Sequence, residues 1–292
     1  MNIEIEKLTK IFKNGVTALD HLDMQMGEGI YGLLGKNGAG KTTLMRILTT
    51  LMEPSSGSVN ICGNKLCKEN YNNIRQLIGY LPQELGLYPN LSVRESLDYI
   101  GGIYGLDRRT RKERLDNLLE QTNLSENQTK KNKQLSGGMK RRVGLVQAML
   151  CNPKILIVDE PTAGLDPEER IRIRSLLSDF GSERTVILST HMIEDLAATC
   201  NHIFILNQGK VKYDGTVDEM MEKVSGHVYN SLIKDEKELL SLQDKYAVTG
   251  KIYTNSNINV RFVSATIPEL ECNMVEANLE DAYIFLNNKD AF

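Results

Sequence analysis

A glycine-rich segment in the first fifth of the chain has the residue types and spacing of a phosphate-binding loop. Its sequence is Gly35-Lys36-Asn37-Gly38-Ala39-Gly40-Lys41-Thr42-Thr43. Glycines allow the backbone to curl so that successive N–H groups point into one concavity, where a side chain would block the phosphate. Lys41 can reach the β- and γ-phosphates, and the Thr42 hydroxyl can ligate Mg²⁺. We therefore predict that this segment binds a nucleoside triphosphate.

Apolar runs on both sides of this loop predict the elements that hold it. Ile30-Tyr31-Gly32-Leu33-Leu34 precedes the loop and is strand-like, and Leu44-Met45-Arg46-Ile47-Leu48 follows it and is helix-like. A strand, a glycine-rich turn and a helix in this order are the context in which such a loop binds phosphate. The helix that begins near Lys41 also contributes the partial positive charge of its N-terminus.

A second apolar run ends in two adjacent acids. Ile155-Leu156-Ile157-Val158 is followed directly by Asp159 and Glu160. Central strands of a parallel sheet are apolar on both faces, and ligands collect at their carboxyl ends. One acid there can hold Mg²⁺ through water, and the other can orient or deprotonate an attacking water. The alternative is a strand that simply ends in solvent.

A histidine follows a third apolar run. Residues 185–189 form a strand-like segment, and Thr190-His191 comes next. A lone histidine after a strand is more often structural. Because this strand should lie beside the one that ends in Asp159, we expect His191 at the same sheet edge as the phosphates.

Two further segments predict the starts of helices. Ser136-Gly137-Gly138 precedes a helix with one apolar face, formed by Met139, Val143, Val146 and Leu150. Two glycines at a helix start offer bare N–H groups to an anion, although such a triplet is usually only a flexible turn. Asp166-Pro167-Glu168-Glu169 predicts the second start, with Asp166 as the N-cap and Pro167 at the first helical position.

The remaining elements follow from apolar periodicity and from turn residues. We predict strands at residues 3–8, 22–26, 58–61 and 77–81, and helices after the capping-box sequence at Ser92, at 108–119 and at 217–224. The basic residues 130–133 indicate a solvated loop. A hairpin is expected between residues 202 and 213. Beyond a domain boundary near Ser225-Gly226, the composition predicts short strands and one helix, at 279–286.

Size and composition narrow the class of protein. The chain has 292 residues, of which 41% are hydrophobic and 25% charged, which fits a soluble protein with one large core and an appendage, or with two domains. Its apolar runs fall well short of the roughly 20 residues of a membrane span. A net charge of −3 gives no indication of nucleic-acid binding. Five cysteines without C-x-x-C spacing indicate reduced, structural thiols in a cytoplasmic compartment.

In this order, the motifs resemble those of the ATP-binding subunit of an ABC transporter, over about the first 220 residues. Residues 35–43 are similar to the family's Walker A loop, residues 135–139 to its signature, residues 155–160 to Walker B and residues 163–166 to the D-loop. Gln83 stands where the Q-loop glutamine follows a strand, and His191 matches the switch histidine. Phe12, which by pattern alone is an aromatic packing a hairpin end, matches the aromatic that stacks on adenine.

The resemblance implies a role for each matching residue. The catalytic group would be Glu160, which polarises the attacking water, with His191, Gln83 and Lys41. Mg²⁺ would be held by Thr42, Gln83 and Asp159. ATP would be bound by Phe12, Gly35, Lys36, Asn37, Gly38, Ala39, Gly40, Lys41, Thr42 and Thr43, and the ATP of a partner subunit by Ser136, Gly137, Gly138 and Asp166.

The resemblance also implies an architecture. The expected fold is α/β, a P-loop NTPase with a RecA-like mixed sheet core, an antiparallel β subdomain, a helical subdomain at about 85–150 and a small C-terminal α/β extension. Residues 1–225 would form the ATP-binding domain and residues 226–292 an accessory domain. In the family, one subunit's Walker A and another's signature sandwich each ATP, so a head-to-tail dimer is expected, most simply a homodimer.

The family's membrane partner would be a permease in a separate chain. The ATPase would then be peripheral, on the cytoplasmic face of the cell membrane, with Gln83 and residues 85–124 as the docking face. The run LSGGMKRR at residues 135–142 resembles the drug- and peptide-exporter branch, whereas importers more often have LSGGQQQR. Met139 is a departure, because many members have Gln there. We expect altered detail at the ribose side but working catalysis.

Three other functions remain open at this stage. An importer ATPase shares all of the motifs above. A soluble ABC ATPase of DNA repair, chromosome folding or translation typically needs two cassettes in one chain or a long coiled-coil insertion. A small-molecule or nucleoside kinase would explain the phosphate loop but leave the signature, the D-loop and His191 without a role.

Overall fold

The computed structural model of the protein describes residues 2–190, 192–254 and 257–288. The strands of this part of the chain are β1 (Ile3–Ile11), β2 (Thr17–Met26), β3 (Gly29–Leu34), β4 (Ser56–Ile61), β5 (Asn64–Lys65), β6 (Ile78–Leu81), β7 (Ile155–Asp159), β8 (Thr185–Ser189), β9 (His202–Asn207), β10 (Lys210–Gly215), β11 (Val228–Ile233), β12 (Ala247–Tyr253), β13 (Ile258–Val263) and β14 (Asn273–Met274). The α-helices are α1 (Lys41–Leu48), α2 (Tyr71–Leu77), α3 (Val93–Ile103), α4 (Arg108–Gln121), α5 (Gly137–Met149), α6 (Pro167–Gly181), α7 (Ile193–Ala197), α8 (Val217–Val224), α9 (Glu236–Lys245) and α10 (Leu279–Asn287).

A six-stranded sheet carries the phosphate-binding loop at the end of β3. Its strand order is β10-β9-β3-β8-β7-β6, and every pair is parallel except β9 with β10. The packing around β7 explains why its sequence is a continuous apolar run. Ile155 and Ile157 pack into one core, whereas Leu156 and Val158 pack into the core on the opposite face. The strand is therefore buried on both sides, as the sequence predicts.

An antiparallel sheet covers one face of this layer. Its order is β2-β1-β4-β5, and its apolar side faces α1. Apolar positions alternate along β1, with Ile3 and Ile5 buried and Glu4 and Glu6 exposed. This alternation is typical of a sheet with one wet face. Sheet and helix together enclose a core in which Leu44 and Ile47 of α1 are fully buried.

Helices α3, α4 and α5 pack around a separate apolar cluster. Val143, Val146 and Leu150 are fully buried there, and Met139 packs against them, so the predicted face of α5 is confirmed. The capping box at Ser92 is also confirmed: Ser92 Oγ accepts from the Glu95 N–H, and the Glu95 carboxylate accepts from the Ser92 N–H.

The prediction of a solvated loop at residues 130–133 is wrong at its centre. Asn132 begins a short 3₁₀ turn and is only 1% exposed. Its amide donates to the Tyr88 carbonyl at 2.9 Å and to Ser96 Oγ at 3.1 Å. These two hydrogen bonds connect the loop to Ser96 of α3 and to Tyr88, which precedes α3. The flanking lysines, which are exposed, gave the segment its solvated composition.

The C-terminal residues form a third sheet. Its order is β12-β13-β11-β14, antiparallel throughout, and it holds strands from residues 228–274. The expectation of a single helix after residue 226 is wrong, because α9 lies between β11 and β12 in addition to α10. Asp235 caps α9, and Leu239 and Leu242 are its buried residues. A division of the chain at residue 225 stays a prediction.

Helix α10 joins the C-terminal sheet to the central layer. Its Ala282 and Phe285 belong to the same core cluster as Ile205 of β9 and Met220 of α8. Arg261 of β13 forms an ion pair with the fully buried Asp281 at 2.6 Å. None of the helices in the described residues is long and apolar enough to cross a membrane.

This shared core makes a testable prediction about cooperativity. Phe285 is 4% exposed and stacks on His227 with ring centroids 4.9 Å apart. Phe285→Ala leaves a cavity in the joint core, so we expect the free energy of unfolding to fall by about 3–5 kcal/mol. Differential scanning calorimetry should show one transition at lower temperature. Leu232→Ala, at a side chain that is 67% exposed, is the control. Two separate transitions, with only one of them shifted, would contradict the shared core.

Candidate functional site

The loop between β3 and α1 adopts a backbone shape that only glycines fit without strain. Gly38 and Gly40 have φ angles of 83° and 111°. A Cβ on Gly35 would lie 2.4 Å from the Leu206 carbonyl oxygen, and a Cβ on Gly40 would lie 2.6 Å from the Ala18 carbonyl oxygen. Gly35 and Gly40 therefore lie in close contact with neighbouring backbone, and Gly38 and Gly40 adopt left-handed φ angles. Its N–H groups and the start of α1 make the concavity that an anion requires.

Lys41 is a buried cation at the first position of α1. Its side chain is held by hydrogen bonds to the carbonyls of Gly35 and Lys36. Burial lowers the pKa of the Lys41 ammonium, and the charges of Glu160 and Asp159 act in the opposite direction. The Lys41 ammonium thus lies within the loop, where the negative charges of Glu160 and Asp159 favour its protonated form.

Asp159 lies at the carboxyl end of β7, 3% exposed. Its Oδ1 accepts from Ser189 Oγ at 2.7 Å, whereas Oδ2 is buried without a hydrogen-bond partner among the described residues. Burial raises the pKa of this carboxyl group, with the Ser189 hydrogen bond acting against the shift. A buried carboxylate oxygen of this kind, in a cavity that Thr42 also lines, fits a hard divalent cation such as Mg²⁺.

Glu160 follows Asp159 in a strained conformation. Its φ is 54°, which costs a residue with a side chain about 1–3 kcal/mol. Its N–H donates to the Ser189 carbonyl at 2.8 Å, and the Thr190 hydroxyl donates to its carboxylate at 3.4 Å. The strained backbone turns the chain away from β7 directly after the strand ends. Outliers of this kind occur preferentially at functional sites.

These residues line one cavity of about 280 Å³. The structure brings together here almost all of the residues that the sequence analysis assigned to nucleotide and metal, namely Phe12, Lys36, Asn37, Gly38, Ala39, Gly40, Lys41, Thr42, Thr43, Gln83, Asp159 and Glu160. Phe12 stands at the mouth, 36% exposed, with the Lys10 ammonium 5.8 Å from its ring centroid. His191 lies outside the described residues.

The signature residues line a different cavity. Ser136, Gly137, Gly138 and Asp166 surround a space of about 610 Å³, which shares Gln83 and Glu160 with the first cavity. Ser136 caps α5 by accepting from the Met139 N–H at 3.2 Å. A Cβ on Gly138 would lie 3.0 Å from Leu165, so the signature packs closely on the D-loop. Asp166 occupies the N-cap position of α6 as predicted, but its side chain makes no capping hydrogen bond.

Arg141 is a residue of this region that the sequence analysis did not single out. It is 6% exposed, and it donates hydrogen bonds to the carbonyl of Glu160 and to the carbonyls of Pro82 and Gln83. Pro82 and Gln83 begin the connection between β6 and α3 at residues 82–92, which we call the Gln83 segment. Arg141 is one of three consecutive basic residues at 140–142, and basic residues are seldom fully buried, so the sequence does not mark it as buried. Only the three-dimensional contacts identify it.

Comparison with known proteins places the chain in a family. The model of the ABC transporter family matches residues 19–163. The Nod factor export ATP-binding protein I of Cupriavidus metallidurans is 35% identical over 243 residues, which is 82% of this chain and 78% of the relative. The chain belongs to the ABC transporter ATP-binding proteins.

Two further matches extend the comparison. The methionine import ATP-binding protein MetN of Staphylococcus saprophyticus is 32% identical over 294 residues, covering 95% of this chain and 86% of the relative. The dimeric ATP-binding cassette MJ0796, in a post-hydrolysis state bound to ADP and Pi, superposes with a TM-score of 0.69 at 27% identity, covering 74% of this chain and 98% of the other. This ABC transporter ATP-binding subunit is an ATP hydrolase with the P-loop ABC fold.

The two strained glycines allow a matched test of the loop. Gly40→Ala adds a left-handed strain and a collision with the Ala18 carbonyl, whereas Gly38→Ala adds the strain alone, because its Cβ position is open. We expect Gly40→Ala to weaken ATP binding at least about tenfold and Gly38→Ala to weaken it less, since the left-handed conformation by itself costs roughly 1–2 kcal/mol. Titration with a fluorescent ATP analogue measures both. Equal losses would show that the contact with Ala18 is not the constraint.

Proposed function

We propose that this ATP hydrolase powers export through a separate transmembrane permease, as one half of a head-to-tail homodimer that ATP closes and hydrolysis opens. The observation that carries the proposal is the division of the motifs between two cavities of one chain, with the phosphate loop in one and the signature in the other. Export is favoured by the run LSGGMKRR, which resembles the exporter branch. An importer ATPase is the second candidate, because the relatives above include a Nod factor export protein and a methionine import protein.

The roles proposed for the residues follow from their positions. The loop N–H groups and Lys41 bind the phosphates, and Phe12 at the cavity mouth stacks on the adenine. Glu160 orients and accepts the proton of the attacking water, with Gln83 beside it in the same cavity. We assign His191 to the γ-phosphate on the motif alone.

The donor set supports Mg²⁺ as the metal of this site. Thr42, Asp159 and Gln83 would hold it, and the unpartnered Oδ2 of Asp159 is the observation that favours an additional ligand there. When bound, the ion would neutralise charge on the phosphates. Within the chain itself, burial raises the pKa of Asp159 and the hydrogen bond from Ser189 acts against that shift, so this hydrogen bond favours the ionised form that binds a cation.

A second copy of the chain would complete each site. Ser136, Gly137, Gly138 and Asp166 face a cavity of their own, and the cap of α5 presents helix N–H groups there. An anion that is bound in the phosphate loop of one copy would meet these groups in the other. A two-fold dimer then has two equivalent composite sites. Loss of the γ-phosphate removes the charge that both copies share, which would separate them.

Mixing two inactive variants tests the composite site. Lys41→Ala disables the phosphate loop and Ser136→Arg blocks the signature, so each homodimer has two broken sites. In a mixed dimer one site receives both substitutions and the other receives neither. Equimolar mixing should therefore restore about a quarter of the wild-type ATP hydrolysis per chain, if sites act independently.

The unmixed variants provide the baseline for this experiment. Activity that stays at the sum of the two baselines, at protein concentrations where the wild-type chain dimerises with ATP, would refute the composite site. Premixing both variants at several ratios gives a further check, because the recovered rate should follow the product of the two fractions.

A groove beside the Gln83 segment supports docking of a permease. It is about 340 Å³ in volume and lies between the central layer and the helices, with Leu51, Tyr80, Pro82 and Tyr104 among its lining residues. Leu51 is 63% and Tyr104 55% exposed, and Tyr99 and Ile103 of α3 and Tyr88 of the connection before α3 are exposed as well. Exposed aromatic and aliphatic groups around a groove are typical of a surface that binds another protein. We propose cytoplasmic helices of the permease as the occupant.

Co-purification tests the transport partner. Tagged Glu160→Gln protein, which we expect to bind ATP without turnover, should retain a polytopic membrane protein from detergent-solubilised cells in the presence of ATP and Mg²⁺. Adding Tyr104→Ala and Leu51→Ala should reduce this recovery, whereas Ile171→Ala, at an exposed apolar residue on α6, should not. Recovery of ribosomes, DNA or soluble proteins alone would move the function to a non-transport ABC ATPase.

A further inference from the structure

Arg141 is placed where three functional segments meet. It belongs to α5, the helix that begins with the signature glycines. Its Nε donates to the carbonyl of Glu160 at 3.0 Å, and its Nη1 donates to the carbonyls of Pro82 at 2.5 Å and Gln83 at 3.1 Å. One planar guanidinium therefore holds the end of β7 and the start of the Gln83 segment against the signature helix.

These contacts go to backbone atoms whose positions decide where two side chains point. Glu160 has its left-handed φ directly after β7, and such a conformation persists only where the surroundings impose it. Its N–H is fixed by Ser189, and its carbonyl accepts from Arg141 and from the Ala163 N–H at 3.2 Å. The backbone of Glu160 is thus held on both sides of its Cα, and Arg141 is one of the donors on the carbonyl side.

The Gln83 segment needs an external support. Residues 82–92 connect β6 to α3 without regular secondary structure, and the Gln83 side chain is exposed. The carbonyls of Pro82 and Gln83 consequently have no ladder of a sheet or helix to hold them. Arg141 provides that support with two hydrogen bonds from a single nitrogen.

A stabilising role alone is a poor explanation of this arrangement. Burial lowers the pKa of Arg141, with the charges of Asp159 and Glu160 opposing the shift, and its Nη2 has no hydrogen-bond partner among the described residues. Transfer of a guanidinium from water into the protein interior is costly even where its donors are paired, so the burial of Arg141 is weak evidence for a purely stabilising role. A fork of donors that reaches two loops at once is, in contrast, well suited to fixing their relative geometry.

We propose that Arg141 is a positioning residue for ATP hydrolysis, which sets Glu160 and Gln83 in register with each other and with the signature helix. This inference rests on the proposed catalytic role of Glu160. Arg141 acts through backbone carbonyls and contacts none of the phosphate-loop residues in its hydrogen bonds. Its loss should therefore affect turnover far more than binding of ATP.

The experiment compares steady-state kinetics of the full chain with ATP and Mg²⁺. Arg141→Met keeps length and bulk but removes all donors, and we expect kcat to fall by about tenfold to a hundredfold, because small misplacements of catalytic groups have effects of that size. KM for ATP should stay within about twofold of the wild-type value. Arg141→Lys keeps a charged donor on a flexible stem and should recover part of kcat.

A control separates positioning from general destabilisation. Val146→Ala removes buried methyl groups from the same helix, within the α3, α4 and α5 cluster and away from Glu160 and Gln83. It should lower the thermal midpoint and leave kcat close to wild type at an assay temperature well below that midpoint. An equal fall of kcat in Val146→Ala and Arg141→Met would overturn the proposal.

A double-mutant cycle with Glu160→Gln distinguishes the two levels of inference. If Arg141 acts through Glu160, Arg141→Met should lower single-turnover hydrolysis much less in the Glu160→Gln background than in the wild type. Equal factors in both backgrounds would refute an action of Arg141 through Glu160, and an Arg141→Met kcat within about twofold of wild type while Glu160→Gln is impaired would refute the positioning role altogether. Wild-type hydrolysis by Glu160→Gln would instead refute the catalytic assignment of Glu160, and the positioning role with it.

Discussion

The geometry of the site depends on the pairing of β7 with β8 at their carboxyl ends. Asp159 and Ser189 are register partners, and Ser189 bonds to both acids, through its hydroxyl to Asp159 and through its carbonyl to the Glu160 N–H. Strand β8 in turn pairs with β3, which delivers the phosphate loop. Because all three strands are parallel and adjacent, the loop and both acids end at one edge. A shift of one residue in either pairing would turn the side chains of the shifted strand to the opposite face of the sheet.

Burial disfavours the charged forms of the ionisable groups at this sheet edge. It lowers the pKa of Lys41 and Arg141 and raises the pKa of Asp159. Mutual attraction between the opposite charges offsets part of that cost. A ligand that brings several phosphate charges would compensate the charge of Lys41, and a divalent cation would supply a partner for Asp159 Oδ2. The buried charges are therefore better explained by nucleotide binding than by stability of the chain alone.

Sequence alone predicts those parts of the fold in which local pattern and final environment agree. The doubly buried β7 and the capping box at Ser92 carry their signal in a few adjacent residues, and the structure has both. The phosphate loop is predictable for the same reason, since its glycines, lysine and threonines are contiguous. Their placement around one cavity with the distant Gln83 and Asp159 follows once the strands are known to be parallel.

The features that escape sequence analysis are those set by contacts between distant segments. Asn132 has basic neighbours in the sequence, but it is buried because its amide donates hydrogen bonds to Ser96 of α3 and to the carbonyl of Tyr88, which precedes α3. Helix α9 has only two buried residues in ten, so its periodic signal is weak. Arg141 lies between two other basic residues in the sequence, and no sequence motif beside Glu160 predicts its left-handed φ. Each depends on a partner far along the chain, which no window of sequence contains.

Gln83 and Glu160 give the two cavities a common wall. Both residues line the phosphate-loop cavity and the signature cavity of the same chain. Under the proposed dimer, a nucleotide that is held by the partner would enter the second cavity and contact the groups around Ser136. The environment of Glu160 would then change on one side when the chain's own nucleotide binds and on the other when the partner's nucleotide does. Under its proposed catalytic role, the Glu160 carboxylate at this shared wall would respond to occupancy of both sites, and hydrolysis would be most effective when the two copies are closed around ATP.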